Sequence, residues 1–179
     1  MIVHEIHDYS NNRVMQLLEY SFSTITDTNI IKNYHPKFSD DPANIFYILN
    51  DPKGRYNKGC YYVVEDAGEY VCSAGYNEYD LDRNIALALT RAYVSPKHRT
   101  KYCMGEYILP KIIEATRNYK HLYITADSYN SAIYQWFVRA SEGKSPGMFN
   151  DWPDIYRNFK PIGKQTIYYT EQFVAEYKA

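Results

Sequence analysis

Residues 85–126 read as strand, helix, strand, and they follow strands that are joined by turns of only a few residues. Short turns force antiparallel neighbours, whereas a strand–helix–strand crossover in one sheet makes the two strands parallel. A chain holding both is expected to combine an antiparallel meander with a parallel pair. The antiparallel part is a meander over about residues 60 to 94. In it "CYYVVED" and "EYVCSAGYNEY" are separated by Ala67 and Gly68, and "NIALALTRAYV" returns after the turn "DLDR".

The crossover helix follows. Ile108, Leu109, Ile112 and Ile113 form its apolar stripe, and Pro110 is expected to kink it or to sit within its first two turns, since proline has no amide to donate. "KHLYITAD" is the strand after it, "NSAIYQWFVRA" a second amphipathic helix, and "QTIYYTEQF" a last strand after a Gly- and Pro-rich passage. At the other end "MIVHEIH" reads as a short strand. Val14, Leu17, Leu18, Phe22 and Ile25 then recur at helical spacing behind a cap at Asn11 or Asn12. Residues 26–58 are polar and proline-punctuated, with one short helix in "DDPANIFYILND", where Asp41 caps and Pro42 takes the first position. No repeat or linker interrupts the order, so the 179 residues are read as one domain, 1–179.

Composition closes off other classes. A net charge of −1 with 23% charged residues gives no footprint for nucleic acid or a membrane surface. The three cysteines, Cys60, Cys72 and Cys103, are odd in number and lack metal-ligand spacing, which speaks against a disulfide framework or a zinc site. The N-terminus lacks a signal-peptide pattern and no apolar run reaches the ~18 residues of a membrane span, so the expected setting is the cytoplasm. The 21 tyrosines are dispersed and are expected to line the core boundary.

The junction "TRAYVSPKHRTKYCMGEYILPKII" carries the chemistry. A turn that leads into a helix start offers backbone amides without intrahelical partners, and the helix dipole favours an anion there. Lys97, His98, Arg99 and Lys101 add positive charge, so a phosphate or pyrophosphate is the natural ligand. The same residues also describe a solvated basic turn.

"VSPKHR", Val94 to Arg99, resembles the central motif of the GNAT superfamily of acyl-CoA-dependent N-acyltransferases, a strand ending Val-x-Pro-x-x-Arg before a Gly-x-Gly/Ala turn and an apolar helix. The order of elements along nearly the whole chain is similar to that family too. The resemblance implies an α/β (mixed α+β) fold: a central, mostly antiparallel mixed sheet with a splayed parallel pair and helices on both faces. It also implies acetyl-CoA as co-substrate. Ala92, Tyr93 and Val94 would offer backbone groups to the pantetheine arm. The amides of Arg99, Thr100, Lys101, Tyr102, Cys103, Met104 and Gly105 would hold the pyrophosphate.

The chain departs from the family in three places. Its glycine slots fall at Tyr102 and Met104, and Gly105 comes one residue late, so either the turn is longer or its backbone stands further from the phosphates. "NSAIYQWFVRA" matches a later motif at Asn130, Ala132 and Ile133, where Asn130 lies near the CoA arm or simply caps the helix. The family's proton-donating tyrosine is replaced by Phe137, and Tyr134, one turn earlier, is the candidate acid. The fourth strand carries no carboxylate. Glu78, with Asp80 beside it at the end of the preceding strand, is the candidate base, although a hairpin-end acid is also a common solvated charge.

Two functions are compatible with these residues. One is an N-acetyltransferase acting directly on an amine of a small molecule, peptide or protein. The other is a catalytically inactive domain of the same fold that serves as a protein-interaction module. The acceptor would be chosen by residues 26–58, with Tyr34, His35, Phe46, Tyr47 and Tyr56, and by residues 142–164, with Phe149, Trp152 and Tyr156. Those aromatic groups suit a cationic amine or, equally, a core.

Overall fold

The computed structural model describes residues 1–6, 59–80, 82–98, 103–126, 154–167 and 170–179. They form a seven-stranded sheet: β1 (Ile2–Ile6), β2 (Gly59–Asp66), β3 (Glu69–Asp80), β4 (Ile85–Val94), β5 (His121–Ala126), β6 (Phe159–Ile167) and β7 (Thr170–Tyr177). The spatial order is β1-β2-β3-β4-β5-β7-β6. Only β4 and β5 run parallel, and every other neighbouring pair is antiparallel.

Each turn has a local cause. Ala67 and Gly68 both have positive φ (49° and 82°), the mirror-image turn whose twist suits a two-residue hairpin. Asn84, also at positive φ (57°), closes the β3–β4 connection, and the Asp80 carboxylate accepts from the Arg83 amide and guanidinium. Asparagine tolerates that conformation because its short polar side chain bonds locally.

The crossover helix opens as a π-turn over Met104–Ile108 and continues as α1 (Leu109–Ala115). The Leu109 amide donates to the Met104 carbonyl, five residues back. Pro110 lies in the first turn of α1, where an unwidened helix would drive its ring into the Glu106 carbonyl. The wider turn removes that clash, so the expected kink appears as a π-turn. Ile108, Leu109 and Ile112 are fully buried, worth about 2 kcal/mol of burial each. They pack on a core formed by Val64, Cys72, Ala74, Ala88, Leu122 and Phe173. On the opposite face Ile85, Leu87, Tyr123, Ile167 and Val174 form a second cluster.

The C-terminal expectation needs correction. "QTIYYTEQF" is not one strand: it spans the β6–β7 hairpin, in which Ile167 pairs with Thr170. No glycine, proline or asparagine marks that turn in the sequence. The passage before it is also more regular than expected, since β6 begins at Phe159 and absorbs Gly163 (φ 106°) as a bulge. The expected helices at 11–25, at 40–51 and in "NSAIYQWFVRA" lie outside the described residues, so the described helical segments do not test the second covered face.

Candidate active site

The site begins where the parallel pair separates. β4 and β5 are in register from Ile85↔His121 to Ala88↔Ile124, after which β4 continues to Val94 and β5 to Ala126. Leu89 stands at φ 54°, a left-handed conformation inside a strand. The β3–β4 register explains it: Gly75 faces Thr90 and Asn77 faces Leu87, so Tyr76 alone lies opposite both Ala88 and Leu89. This is a β-bulge, which bends the bulged strand and adds twist. Beyond it β4 runs roughly 20 Å, at ~3.3 Å per residue, with Leu89, Ala92 and Val94 half-buried against the α1-side core.

The turn leaves that strand end under close control. The Ser95 amide donates to the Val71 carbonyl at 2.8 Å, and Pro96–His98 makes a 3-10 turn closed by the His98 amide on the Ser95 carbonyl at 2.8 Å. Lys97 points away and is ion-paired with Glu69 on the β2–β3 hairpin. The hydrogen bond from Lys97 holds the Glu69 carboxyl below the usual range. His98 is buried, with no hydrogen-bond partner at Nδ1 among the described residues, while the Lys97–Glu69 pair lies exposed at the surface. Arg99, Thr100, Lys101 and Tyr102 lie outside the described residues.

The helix start is packed rather than open. Cys103 is buried, with its thiol 4.0 Å from the His98 carbonyl; Met104 is half-buried and Gly105 buried. Burial, and secondarily Cys103, pushes the nearby Cys72 thiol up. Cys60, Cys72 and Cys103 are all buried in the core. At Gly105 an added Cβ would lie 2.4 Å from Cε2 of Tyr156. Tyr156 belongs to the 3-10 turn Asp154–Asn158 and is buried. Gly105 is therefore where the C-terminal segment packs against the helix start. No local signal marks Tyr156 beyond its place in the aromatic segment 142–164.

The structure does not bring Glu78 to this turn. Glu78 faces Ala86 near the start of β4, and Val94 is about 26 Å further along that strand at ~3.3 Å per residue. Its carboxylate accepts from the Tyr119 hydroxyl at 3.1 Å. Burial, helped by that bond, pushes Tyr119 up to about 12. Nearer the strand end is a group that sequence reading missed. Ser73, across from Tyr93, is fully buried, and its hydroxyl lies 2.8 Å from that of Tyr61 and 2.6 Å from that of Tyr70. Tyr93 itself is placed as backbone on β4, while Asn130 and Tyr134 lie outside the described residues. Among the described residues no group of three metal-ligating side chains occurs, and no helix is long and apolar enough to cross a membrane.

A meander, a parallel pair that separates at a bulge, and a helix beginning past the strand end together define the fold of the GNAT N-acetyltransferases. No family model matches the sequence, and no curated protein matches it. Solved structures do. One is a ribosomal-protein-alanine N-acetyltransferase from Brucella melitensis, with a TM-score of 0.53 and 16% identity over 100% of both chains. Another is an acetyltransferase of the GNAT family from Staphylococcus aureus Mu50, with a TM-score of 0.56 and 14% identity over 99% of this chain and 100% of that one. A variant of a spermidine N-acetyltransferase from Vibrio cholerae gives 0.56 and 14% over 99% and 94%. At these identities the likeness is one of fold.

Proposed function

We propose that the chain is an N-acyltransferase that moves the acetyl group of acetyl-CoA to an amine of a small molecule, peptide or protein. The observation that carries this reading is the end of the β4–β5 pairing at Ala88↔Ile124, beyond which β4 runs on to Val94 with Leu89, Thr90, Ala92 and Val94 half-buried. A slender pantetheine arm would lie along this part of β4, beside small and aliphatic groups such as Ala92 and Val94. The amides of the Arg99–Gly105 stretch are the groups that would receive the pyrophosphate.

The transfer needs a neutral amine to attack the thioester carbonyl. The C–N bond forms, the C–S bond breaks, the amine gives up a proton and the CoA thiolate takes one. Tyr134 is our candidate for the last step. Glu78 stays our candidate base: it faces Ala86, two residues before the β4–β5 pairing ends, and its carboxylate accepts from the Tyr119 hydroxyl.

Calorimetric titration with acetyl-CoA, beside desulfo-CoA and an Arg99→Ala variant, tests the reading. Arg99→Ala should weaken binding about tenfold, the loss of one charge-assisted contact to phosphate, and a panel of amines should then release free thiol. Absence of binding would sink the enzyme reading and favour a domain that keeps the fold and serves protein interaction.

A further inference from the structure

We infer that Tyr156 is a positioning residue for the anion-binding turn, acting through Gly105 to fix where the helix start stands relative to the end of β4. This rests on the acyl-CoA reading above. The turn runs from Val94 to Gly105, and the Tyr156 ring packs against its helix end. At one end its ring fills the space beside the Gly105 Cα, with Cε2, Cζ and Cδ2 at 2.4, 3.2 and 3.3 Å from an added Cβ. At the other end lies Cys72, which pairs with Val94 in the β3–β4 register. Tyr156 and Cys72 share one buried cluster, and burial, with the Cys72 thiol adding to it, pushes the Tyr156 hydroxyl up. The ring thus stands against the helix start, in the same buried cluster as Cys72, the strand-end partner of Val94.

Only glycine lets the ring come this close, so the contact accounts for the position of Gly105. It sits one residue late for a phosphate-facing slot and in the right place to receive an aromatic wedge. The wedge comes from the segment just before β6, part of the stretch 142–164 expected to shape the acceptor side. Acceptor-side residues and the donor turn would therefore share one support, and a shift of the ring would move backbone amides rather than remove a direct contact. Misplacing binding groups by about 1 Å is enough to cost large factors in binding and rate.

The test uses the full chain, with acetyl-CoA affinity measured by calorimetry at a temperature where circular dichroism reports every variant folded. Tyr156→Phe keeps the ring and should bind within about twofold of wild type, whereas Tyr156→Leu should bind about tenfold more weakly or worse. Ile167→Ala, which opens the core on the opposite face of the sheet, should keep the wild-type affinity despite its lost stability. Gly105→Ala should weaken binding from the other side, and Tyr156→Leu in that background should recover part of the loss by making room for the methyl group. The inference is overturned if Tyr156→Leu binds as wild type does, or if it and Ile167→Ala weaken binding equally. Should Tyr156→Leu not fold, wild-type affinity in Gly105→Ala overturns it instead. A wild-type chain that does not bind acetyl-CoA removes the acyl-CoA reading and this inference together, whereas a binding wild type with an unaffected Tyr156→Leu removes only the inference.

Discussion

The left-handed backbone of Leu89 can be tested by comparing two substitutions at that position, Leu89→Ala and Leu89→Gly. Both remove a half-buried side chain that packs on the α1-side core, a loss of about 1–2 kcal/mol given that fully buried Leu→Ala changes cost about 2–5. That loss is common to the pair, so their difference isolates the backbone. In an ordinary strand glycine is worse than alanine by roughly 0.5–1 kcal/mol through its entropy in the unfolded chain. At φ 54° a Cβ costs roughly 1–2 kcal/mol, and glycine escapes that cost. The order should therefore reverse, with Leu89→Gly about 0.5–1 kcal/mol more stable than Leu89→Ala. Urea unfolding with equal m-values reads this directly, and in thermal melts it corresponds to about 1–4 °C for a chain of this size. If Leu89→Ala proved the more stable, position 89 would be ordinary strand and the bulge that separates β4 from β5 would lose its support.

Ala67 takes the first positive-φ place of the β2–β3 turn, so Ala67→Gly should raise stability by about 0.5–1 kcal/mol in the same assay, and a loss would contradict the mirror-image turn. At Glu176 burial pushes the carboxyl up, but bonds from His121 at 2.5 Å and Lys178 at 2.9 Å outweigh it and leave the carboxyl below the ordinary 4.5. A depressed folded value stabilises above the unfolded pKa and is lost as pH falls through the folded one. The stability gap between wild type and Glu176→Gln should accordingly be widest above pH 4.5 and close in more acid solution; a gap that widened toward acid would reverse the sign of the shift.

What could be read in advance followed from periodicity and connection length. The meander was legible because Ala67–Gly68 is short and its flanking strands are rich in β-branched and aromatic residues, and the parallel pair because the stripe of Ile108, Leu109 and Ile112 needs a helix between two strands. Features that depend on tertiary register left no local mark. "IALALTRAYV" has no glycine or asparagine at Leu89, so nothing along the strand announces a left-handed residue; the bulge arises from how β4 must align with β3 on one side while parting from β5 on the other. The β6–β7 turn was hidden for a related reason, since it lacks the residues that usually favour such a turn.

The site divides along the same line. The motif Val94–Arg99 is local and was visible, yet two of its basic residues, Lys97 and His98, are claimed by Glu69 and by the interior. Glu78 was chosen by nearness in sequence to β4, and the antiparallel hairpin sets it opposite Ala86, far from Val94 but two residues from Ala88, where the β4–β5 pairing ends. Tyr156 stands the other way round. It is 51 positions from Gly105 in the sequence and in contact with it in the fold. A misplaced glycine that looks like decay of a phosphate turn when read along the chain is, across the fold, the seat of an aromatic side chain, and the cost of putting any other residue there falls on the turn itself.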